Sequence, residues 1–351
     1  MERSRPRIAL ILGVGLLLLA SFSSAQNPPR REGGPPMGGR GPGGGPGRMG
    51  GPELGKEIQD PLLRRVLEAQ GRLRYSGTRT VEFREEGQRI RQTEYIVRDG
   101  LRQRTEVAPG SPNAGTIIIE DREQRLQFFP ERNEIESSPS RLREGMQRLR
   151  MSFKGFQNGM LNLRREPGGR VAGLETTKLT FVDRRGNVLQ TMWVDPDNGM
   201  ILKRDLRDPL GASLGSFEFT RVNYEPRIQN DDFKIDRRGA KIVSQRDRLF
   251  QMSRRLNIPP FRIPEEPGNP RLFSVRPIDL GGRKGIHQVY GFDEGRVSLF
   301  IFDEPLDRGR IQGLVRDRMN VLTVQRDGFQ LIFLGEVERE ELERLARIVT
   351  K

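Results

Sequence analysis

The chain is poor in cysteine and histidine, two residue types that many catalytic and metal sites use. The sequence has no cysteine and a single histidine, His287. The lack of cysteine excludes disulfides, thiolate metal sites and a cysteine nucleophile, and a Ser-His-Asp triad has only His287 to draw on. His287 lies in a predicted strand between Ile286 and Val289, where a lone histidine is more often a satisfied partner than a catalytic base. We therefore expect no enzymatic activity and no cofactor. The alternative is an enzyme that acts on envelope polymers, which would need a pair of carboxylates that spacing alone does not show.

One acidic cluster has the oxygen ligands that calcium prefers. Asp195, Asp197 and Asn198 stand close together, but the spacing of a calcium-binding EF-hand loop and its distal glutamate are missing. The alternative is a β-turn, in which Asp and Asn side chains accept hydrogen bonds from the nearby backbone. The pattern favours the turn, and we expect no metal site.

A stripe of large apolar side chains gives the candidate ligand-binding site. Between residues 139 and 166 these side chains recur at steps of four and three, which places them on one face of a helix interrupted near Gly155 and Gly159. One interpretation is a core helix packed on a sheet. The other is a lid over an apolar cavity for acyl chains, since Met and Phe repack readily. The stripe comprises Leu142, Met146, Leu149, Phe153, Phe156 and Met160. The candidate cavity or lid residues are Met146, Phe153, Phe156, Met160 and Trp193.

The segment 176–235 supplies the sheet that would position this helix. Short runs rich in Val, Thr and Phe alternate with turn clusters at 184–187 and 195–199, which predicts consecutive antiparallel hairpins. Pairing Asp183 with Val188 would place Leu179, Phe181, Met192 and Val194 on one face, and Val182, Leu189 and Trp193 on the other. Both faces are then partly apolar, so each needs cover from helices, a second domain or an apolar ligand.

The preceding region predicts a helix followed by a meander. Asp60 is a suitable N-cap with Pro61 at the first helical position. Strands are predicted at 77–83, 89–97, 101–107, 116–119 and 125–129. Without crossover helices these strands pair antiparallel, so the expected fold class is α+β, with a long curved antiparallel sheet forming a half-open barrel.

The C-terminal third predicts a connection and a smaller domain. A basic helix at about 243–256 precedes a proline-rich stretch, and together residues 237–270 are typical of a semi-rigid linker. Five further strands and a final helix from about Glu338 indicate a small α+β domain over 271–351. The predicted N-terminal domain covers 56–236.

The N-terminus predicts export from the cytoplasm. Residues 1–25 have the charged, apolar and small-residue regions of a cleavable signal peptide. The alternative is an uncleaved anchor, but the apolar run is shorter than the ~20 residues that a spanning helix needs. The Gly-, Pro- and Arg-rich segment 26–55 is expected to be a disordered linker. The net charge of +14 favours anionic partners, and the alternative is a solvated surface whose excess charge keeps the protein soluble. A periplasmic or secreted location argues against nucleic acid as that partner.

Several short motifs resemble known families. Trp193-Val194-Asp195, the turn to Gly199 and the strand from Met200 resemble the W-x-D…T-G-L-x-L-K hairpin of lipoprotein-carrier (LolA/LolB-like) domains. The segment 75–78 after the first helix resembles the start of the first strand in the periplasmic sigma-E regulatory family (RseB/MucB type). Tyr290-Gly291 with 297–301, and the segment 334–337, resemble that family's C-terminal domain. The resemblance covers residues 56–351.

This resemblance implies a sensor-regulator of the envelope stress response. Such a protein would bind the periplasmic segment of a membrane anti-sigma factor, shield it from proteolysis and release it on a lipid or lipopolysaccharide signal. The alternative is a periplasmic lipid or lipoprotein carrier, which shares the N-terminal fold but lacks the second domain. No binding residue of the family carries over individually.

Overall fold

The structure, a computed structural model, describes residues 57–85, 88–208, 210–292, 295–314 and 319–351. The chain divides into two compact units. Of the described residues, the first unit contains those within 57–115 and 145–234, and the second contains those within 116–144 and 235–351. The predicted signal peptide (1–25) and Gly/Pro/Arg-rich linker (26–55) lie outside the described residues.

The first unit begins with the predicted helix, α1, at Pro61–Arg72. The Asp60 carboxylate accepts hydrogen bonds from the backbone amides of Leu62 and Leu63, each at 3.0 Å, which confirms the predicted cap. Leu63, Val66 and Leu67 on one side of the helix are buried. The apolar side of α1 therefore faces the core.

The sheet of the first unit is antiparallel and curved, and it does not close into a barrel. Its spatial order is β3-β2-β1-β11-β10-β9-β8-β7. The fold class predicted from the sequence is confirmed, and strand β11 pairs with β1 to join the two hairpin series. The strands are β1 (Arg74–Glu85), β2 (Gln88–Asp99), β3 (Arg102–Val107), β7 (Asn162–Val171), β8 (Leu174–Val182), β9 (Val188–Val194), β10 (Ile201–Arg207) and β11 (Ser213–Asn223).

The predicted register of the central hairpin is confirmed. Leu179 pairs with Met192, the register that follows from pairing Asp183 with Val188, and only the last pair before the turn is shifted by an irregularity. Leu179, Phe181, Met192 and Val194 lie in one buried cluster. Helix α1 and the second helix, α2 (Leu142–Gln157), supply most of the other members of that cluster, and Ile58 and Ile201 complete it. We call this side of the sheet the helix-covered face.

The described part of the second unit contains two groups of paired strands. One has strands β4 (Ile117–Glu120), β5 (Gln124–Phe129), β6 (Glu134–Pro139) and β12 (Lys241–Ser244), and β12 pairs with β6 in parallel. The other is antiparallel in the order β13-β14-β15-β17-β16, with strands β13 (Arg271–Leu280), β14 (Arg283–Gly291), β15 (Arg296–Phe302), β16 (Asn320–Arg326) and β17 (Phe329–Gly335). Three helices accompany them: α3 (Gln245–Leu256), α4 (Arg308–Leu314), which the sequence did not predict, and α5 (Arg339–Ile348).

The proline-rich stretch differs from the expected linker because its apolar side chains are buried. Ile258, Phe261 and Ile263 join the main core of the second unit. Two buried polar side chains also hold its backbone: Gln288 donates to the Phe261 carbonyl oxygen at 2.7 Å, and the Ile263 amide donates to the Tyr290 hydroxyl at 3.0 Å. Proline fixes this segment in an extended form that packs as part of the unit.

Within the described ranges, no helix is both long and apolar enough to cross a membrane.

Candidate functional site

The helix-covered face is closely packed by the protein's own side chains. Leu149 and Phe153 of α2 and three residues of α1 contact the apolar side chains of the central hairpin. The rings of Phe153 and Phe181 are stacked with centroids 5.7 Å apart and an interplanar angle of 14°. Phe153 is completely buried. Two helices therefore cover this face. Helices are one of the three kinds of cover that the sequence left open.

The predicted stripe is partly core and partly half-exposed. Phe156 is half-buried and packs against the same cluster as Phe153. Met146 on α2 is also half-buried, and Met160 follows the end of the helix with similar exposure. The structure thus unites Phe153 and Phe156 in one cluster, with two half-buried methionines at the start and beyond the end of the same helical segment.

Trp193 faces away from these residues. It lies between Met192 and Val194 on β9 and pairs with Lys178, so alternation turns its side chain to the opposite side of the sheet. The amines of Lys178 and Lys203 lie 5.8 and 4.8 Å from its ring centroid. The fifth candidate residue is therefore not part of the cluster around Phe153.

The turn after Trp193 packs against α1. The Asp195 carboxylate accepts hydrogen bonds from the Asp197 amide, the Asn198 side chain and the Tyr224 hydroxyl at 2.7–2.9 Å. Its oxygens therefore face protein donors, as a turn requires. Gly199 has a φ of +81°, and a Cβ there would lie 2.6 Å from the Arg65 carbonyl oxygen. Only glycine suits both this conformation and this approach.

A cavity of about 520 Å³ opens beside this turn. Its lining includes Arg65, Arg72 and Arg74 together with Asp197 and Tyr224. Arg72 forms an ion pair with Glu68 at 2.7 Å, Arg74 donates to the Ile228 carbonyl oxygen at 3.1 Å, and Arg65 donates to the Pro196 carbonyl oxygen. The arginines of this rim are held by protein acceptors, and the cavity contains none of the predicted site residues.

Sequence reasoning missed the buried arginines in the sheet of the first unit, among them Arg79 and Arg204. Arg79 on β1 forms an ion pair with the completely buried Glu94 at 2.7 Å, and Gln92 donates to the same carboxylate at 2.7 Å. Arg204 on β10 is 4% exposed and donates through Nη2 to Gln190 at 2.6 Å. The available signal was that Leu202, Arg204 and Leu206 alternate along a strand, which places a charge at an inward position.

His287 is buried inside the second unit, and both of its ring nitrogens have hydrogen-bond partners. Arg276 Nε donates to His287 Nδ1 at 2.7 Å, and Nε2 lies 3.0 Å from Ser298 Oγ. The ring stacks on Phe300 with centroids 4.2 Å apart. Burial, together with the charge of Arg276, lowers the pKa of His287 to about 3. An arginine stands where a triad has a carboxylate, and so weak a base is unsuited to activate Ser298 near neutral pH.

We expect His287 to make the stability of the second unit depend on pH. The histidine is neutral when folded and takes up a proton near its ordinary pKa of 6.5 when unfolded, so its contribution is complete above pH 6.5 and declines as pH falls toward 3. Between pH 7 and pH 5 the free energy of unfolding should fall by about 2 kcal/mol from this group. Chemical denaturation of wild type and His287→Gln at both pH values measures the difference. Equal losses in the two proteins would show that His287 is not the cause.

The comparisons with known proteins gave matches among solved structures only. No family model matches the chain, and no curated protein matches it. The crystal structure of MucB has 18% sequence identity, covers 82% of this chain and 96% of MucB, and gives a TM-score of 0.41. The MucA/MucB complex from Pseudomonas aeruginosa has 18% identity, coverages of 82% and 97%, and a TM-score of 0.39. A LolA-superfamily protein from Nitrosomonas europaea has 9% identity, coverages of 50% and 96%, and a TM-score of 0.25.

Proposed function

We propose that this protein is a non-enzymatic sensor-regulator outside the cytoplasm. It binds the extracytoplasmic segment of a membrane anti-sigma factor and shields that segment from proteolysis. The proposed location is the periplasm, reached through the predicted signal peptide. The response it serves is envelope stress signalling.

The filled helix-covered face is the observation that favours this function over a carrier. A carrier must accept acyl chains in an apolar cavity that it can open and close. Here Leu149 and Phe153 of α2 are completely buried against the sheet, where an acyl chain would have to lie. Emptying that space would expose both side chains to water, which costs about 1.5–3 kcal/mol of free energy for each. A protein-binding function needs no such opening.

Two further features support the proposal. The resemblance in sequence motifs includes the C-terminal domain, which simple carriers lack, and the structure has a second unit with its own cores. The similar structure MucB has been solved in complex with the periplasmic part of MucA. The net charge of +14 suits an acidic partner segment, because arginine pairs readily with carboxylates.

A lipid or lipopolysaccharide signal completes the proposal. The lid hypothesis stays a prediction and now concerns Met146, Phe156 and Met160, which are half-buried. A ligand could contact these side chains without emptying the core around Phe153. The part that Trp193 would play is separate, since its ring lies on the other side of the sheet.

A binding titration tests the function. The ligand is the extracytoplasmic segment of a single-span anti-sigma factor encoded beside a sigma factor in the same genome, and calorimetry measures its affinity for the mature protein. We expect a saturable one-to-one complex that weakens as salt is raised, because charge pairs contribute to it. A scrambled segment of the same composition is the control.

The carrier hypothesis predicts a different result. Equal binding of the native and scrambled segments, together with acyl-chain lipid that co-purifies in stoichiometric amount, would replace the regulator with a lipid or lipoprotein carrier. The same preparations give both measurements.

A further inference from the structure

Arg204 is a buried cation whose donors are mostly unused. The side chain is 4% exposed and makes one hydrogen bond, from Nη2 to Gln190 Oε1 at 2.6 Å. The Nε and Nη1 atoms are buried without any hydrogen-bond partner. A guanidinium carries five N–H donors, so three of them, one on Nε and two on Nη1, are left without an acceptor.

No carboxylate compensates this charge within hydrogen-bonding distance. Arg204 forms no ion pair in the described part of the chain, and burial alone lowers its pKa to about 10. Burying an unpaired ion costs several kcal/mol, so a protein normally supplies a counter-charge. Asp205, the next residue, is turned to the other side of β10 by the alternation of the strand.

The surroundings of Arg204 are apolar on both sides. Its cross-strand partners are Met192 on β9 and Phe217 on β11, so all three project from the helix-covered face. Met192 is completely buried, and Leu206 two residues along is nearly so. The unused donors are therefore placed among apolar side chains, which offer them no acceptor.

Arg79 on the same face shows what a compensated arginine looks like. Val81, two residues from Arg79, pairs with Phe217, which in turn pairs with Arg204. The guanidinium of Arg79 lies 5.2 Å from the centre of the Phe217 ring and binds the Glu94 carboxylate at 2.7 Å. The protein thus provides a carboxylate for one buried arginine beside Phe217 and leaves the other without one.

From this contrast we infer that Arg204 is the anchor of a binding site for an oxyanion, the carboxylate or phosphate group of a small ligand. The oxyanion accepts hydrogen bonds from Nε and Nη1, the donors that Gln190 leaves unused. The inference names the chemical class of the ligand that would act as the signal in the proposed function. Only the biological role of the site rests on that proposal. The peptide titration and the ligand test are separate experiments and can fail separately.

The test compares unfolding midpoints of the mature protein in chloride, phosphate, octanoate and octanol at constant ionic strength. The variants are Arg204→Met and the matched Arg79→Met. Arg204→Lys, which keeps the charge, replaces Arg204→Met if that variant does not fold. We expect phosphate or octanoate to raise the wild-type midpoint in a saturable way, and octanol, which has no charge, to leave it unchanged. Arg204→Met should fold in chloride and bind the active anion about ten- to a hundredfold more weakly.

The outcomes separate the sources of the anion. Protection by octanoate alone identifies the head of an amphiphile, and protection by phosphate alone identifies a phosphate or phosphorylated group. Phosphate also stabilises proteins because it is excluded from their surface. Only the rise in the unfolding midpoint that the wild type shows and Arg204→Met lacks is therefore counted as binding. The inference is overturned if neither anion protects the wild type beyond Arg204→Met, or if Arg204→Met loses as much stability in chloride as Arg79→Met.

Discussion

Replacing Phe153 with alanine should lower the free energy of unfolding of the first unit by about 3–5 kcal/mol. Phe153 is completely buried and stacks on Phe181 in the cluster that joins both helices to the sheet. Removing the ring leaves a cavity that the neighbouring helix and strands can fill only partly. Chemical denaturation of the variant and the wild type measures the loss.

Phe156→Ala is the matched control on the same helix. Phe156 is half-buried and packs against the same cluster, so its truncation removes less buried area and should cost clearly less. If Phe156 belongs to a mobile lid, its variant should change lipid affinity more than stability. A loss below about 1 kcal/mol for Phe153→Ala would contradict the filled face, because a fully packed ring cannot be removed so cheaply.

Arg79→Met should cost about 3–5 kcal/mol of unfolding free energy. The change removes the partner of Glu94 and leaves its completely buried carboxylate without an ion pair. Gln92 would remain as one of its donors, at 2.7 Å. Denaturation of the single variant measures this cost directly.

A double variant separates the ion pair from simple packing. Arg79→Met with Glu94→Leu removes both charges, so most of the loss should be recovered, since replacing a whole buried pair with apolar side chains is often nearly neutral. As a surface comparison, Arg72→Met breaks the largely exposed pair with Glu68 and should change stability by less than about 1 kcal/mol. A double variant as unstable as the single one would show that the uncompensated charge is not the cause.

Local patterns predicted much of the fold. The Asp60 cap, the register that pairs Leu179 with Met192, and the last helix with Leu342 and Leu345 buried all follow from rules that act over a few residues. Alternation also placed Trp193 opposite the apolar set of the central hairpin. These signals are strong because each is repeated at a fixed spacing along one strand or helix.

Tertiary placement was harder to predict. The proline-rich stretch has the composition of a linker, yet Phe261 is completely buried, because burial depends on partners such as Gln288 that are distant in sequence. The compact units also differ from the predicted domains 56–236 and 271–351, since 116–144 groups with the C-terminal part of the chain. Strand pattern alone does not tell which compact unit a strand will join.

The candidate site was the least predictable part. The stripe on α2 was visible from its spacing, but whether each side chain is core or lid depends on the depth at which it packs, which separates Phe153 from Phe156. The inward position of Arg204 was readable from alternation with Leu202 and Leu206. The lack of a carboxylate partner for Arg204 could not be predicted in this way, because it depends on every strand and helix around the side chain.

The most direct measurement of the proposed function is protection of the anti-sigma segment from proteolysis. The isolated extracytoplasmic segment is digested alone, with the mature wild-type protein, and with an unrelated protein of similar charge. We predict that a saturating amount of the wild-type protein slows cleavage of the segment at least tenfold, in proportion to the fraction bound, and that the unrelated protein does not. An unchanged cleavage rate at saturation, or equal protection by the unrelated basic protein, would contradict the proposal.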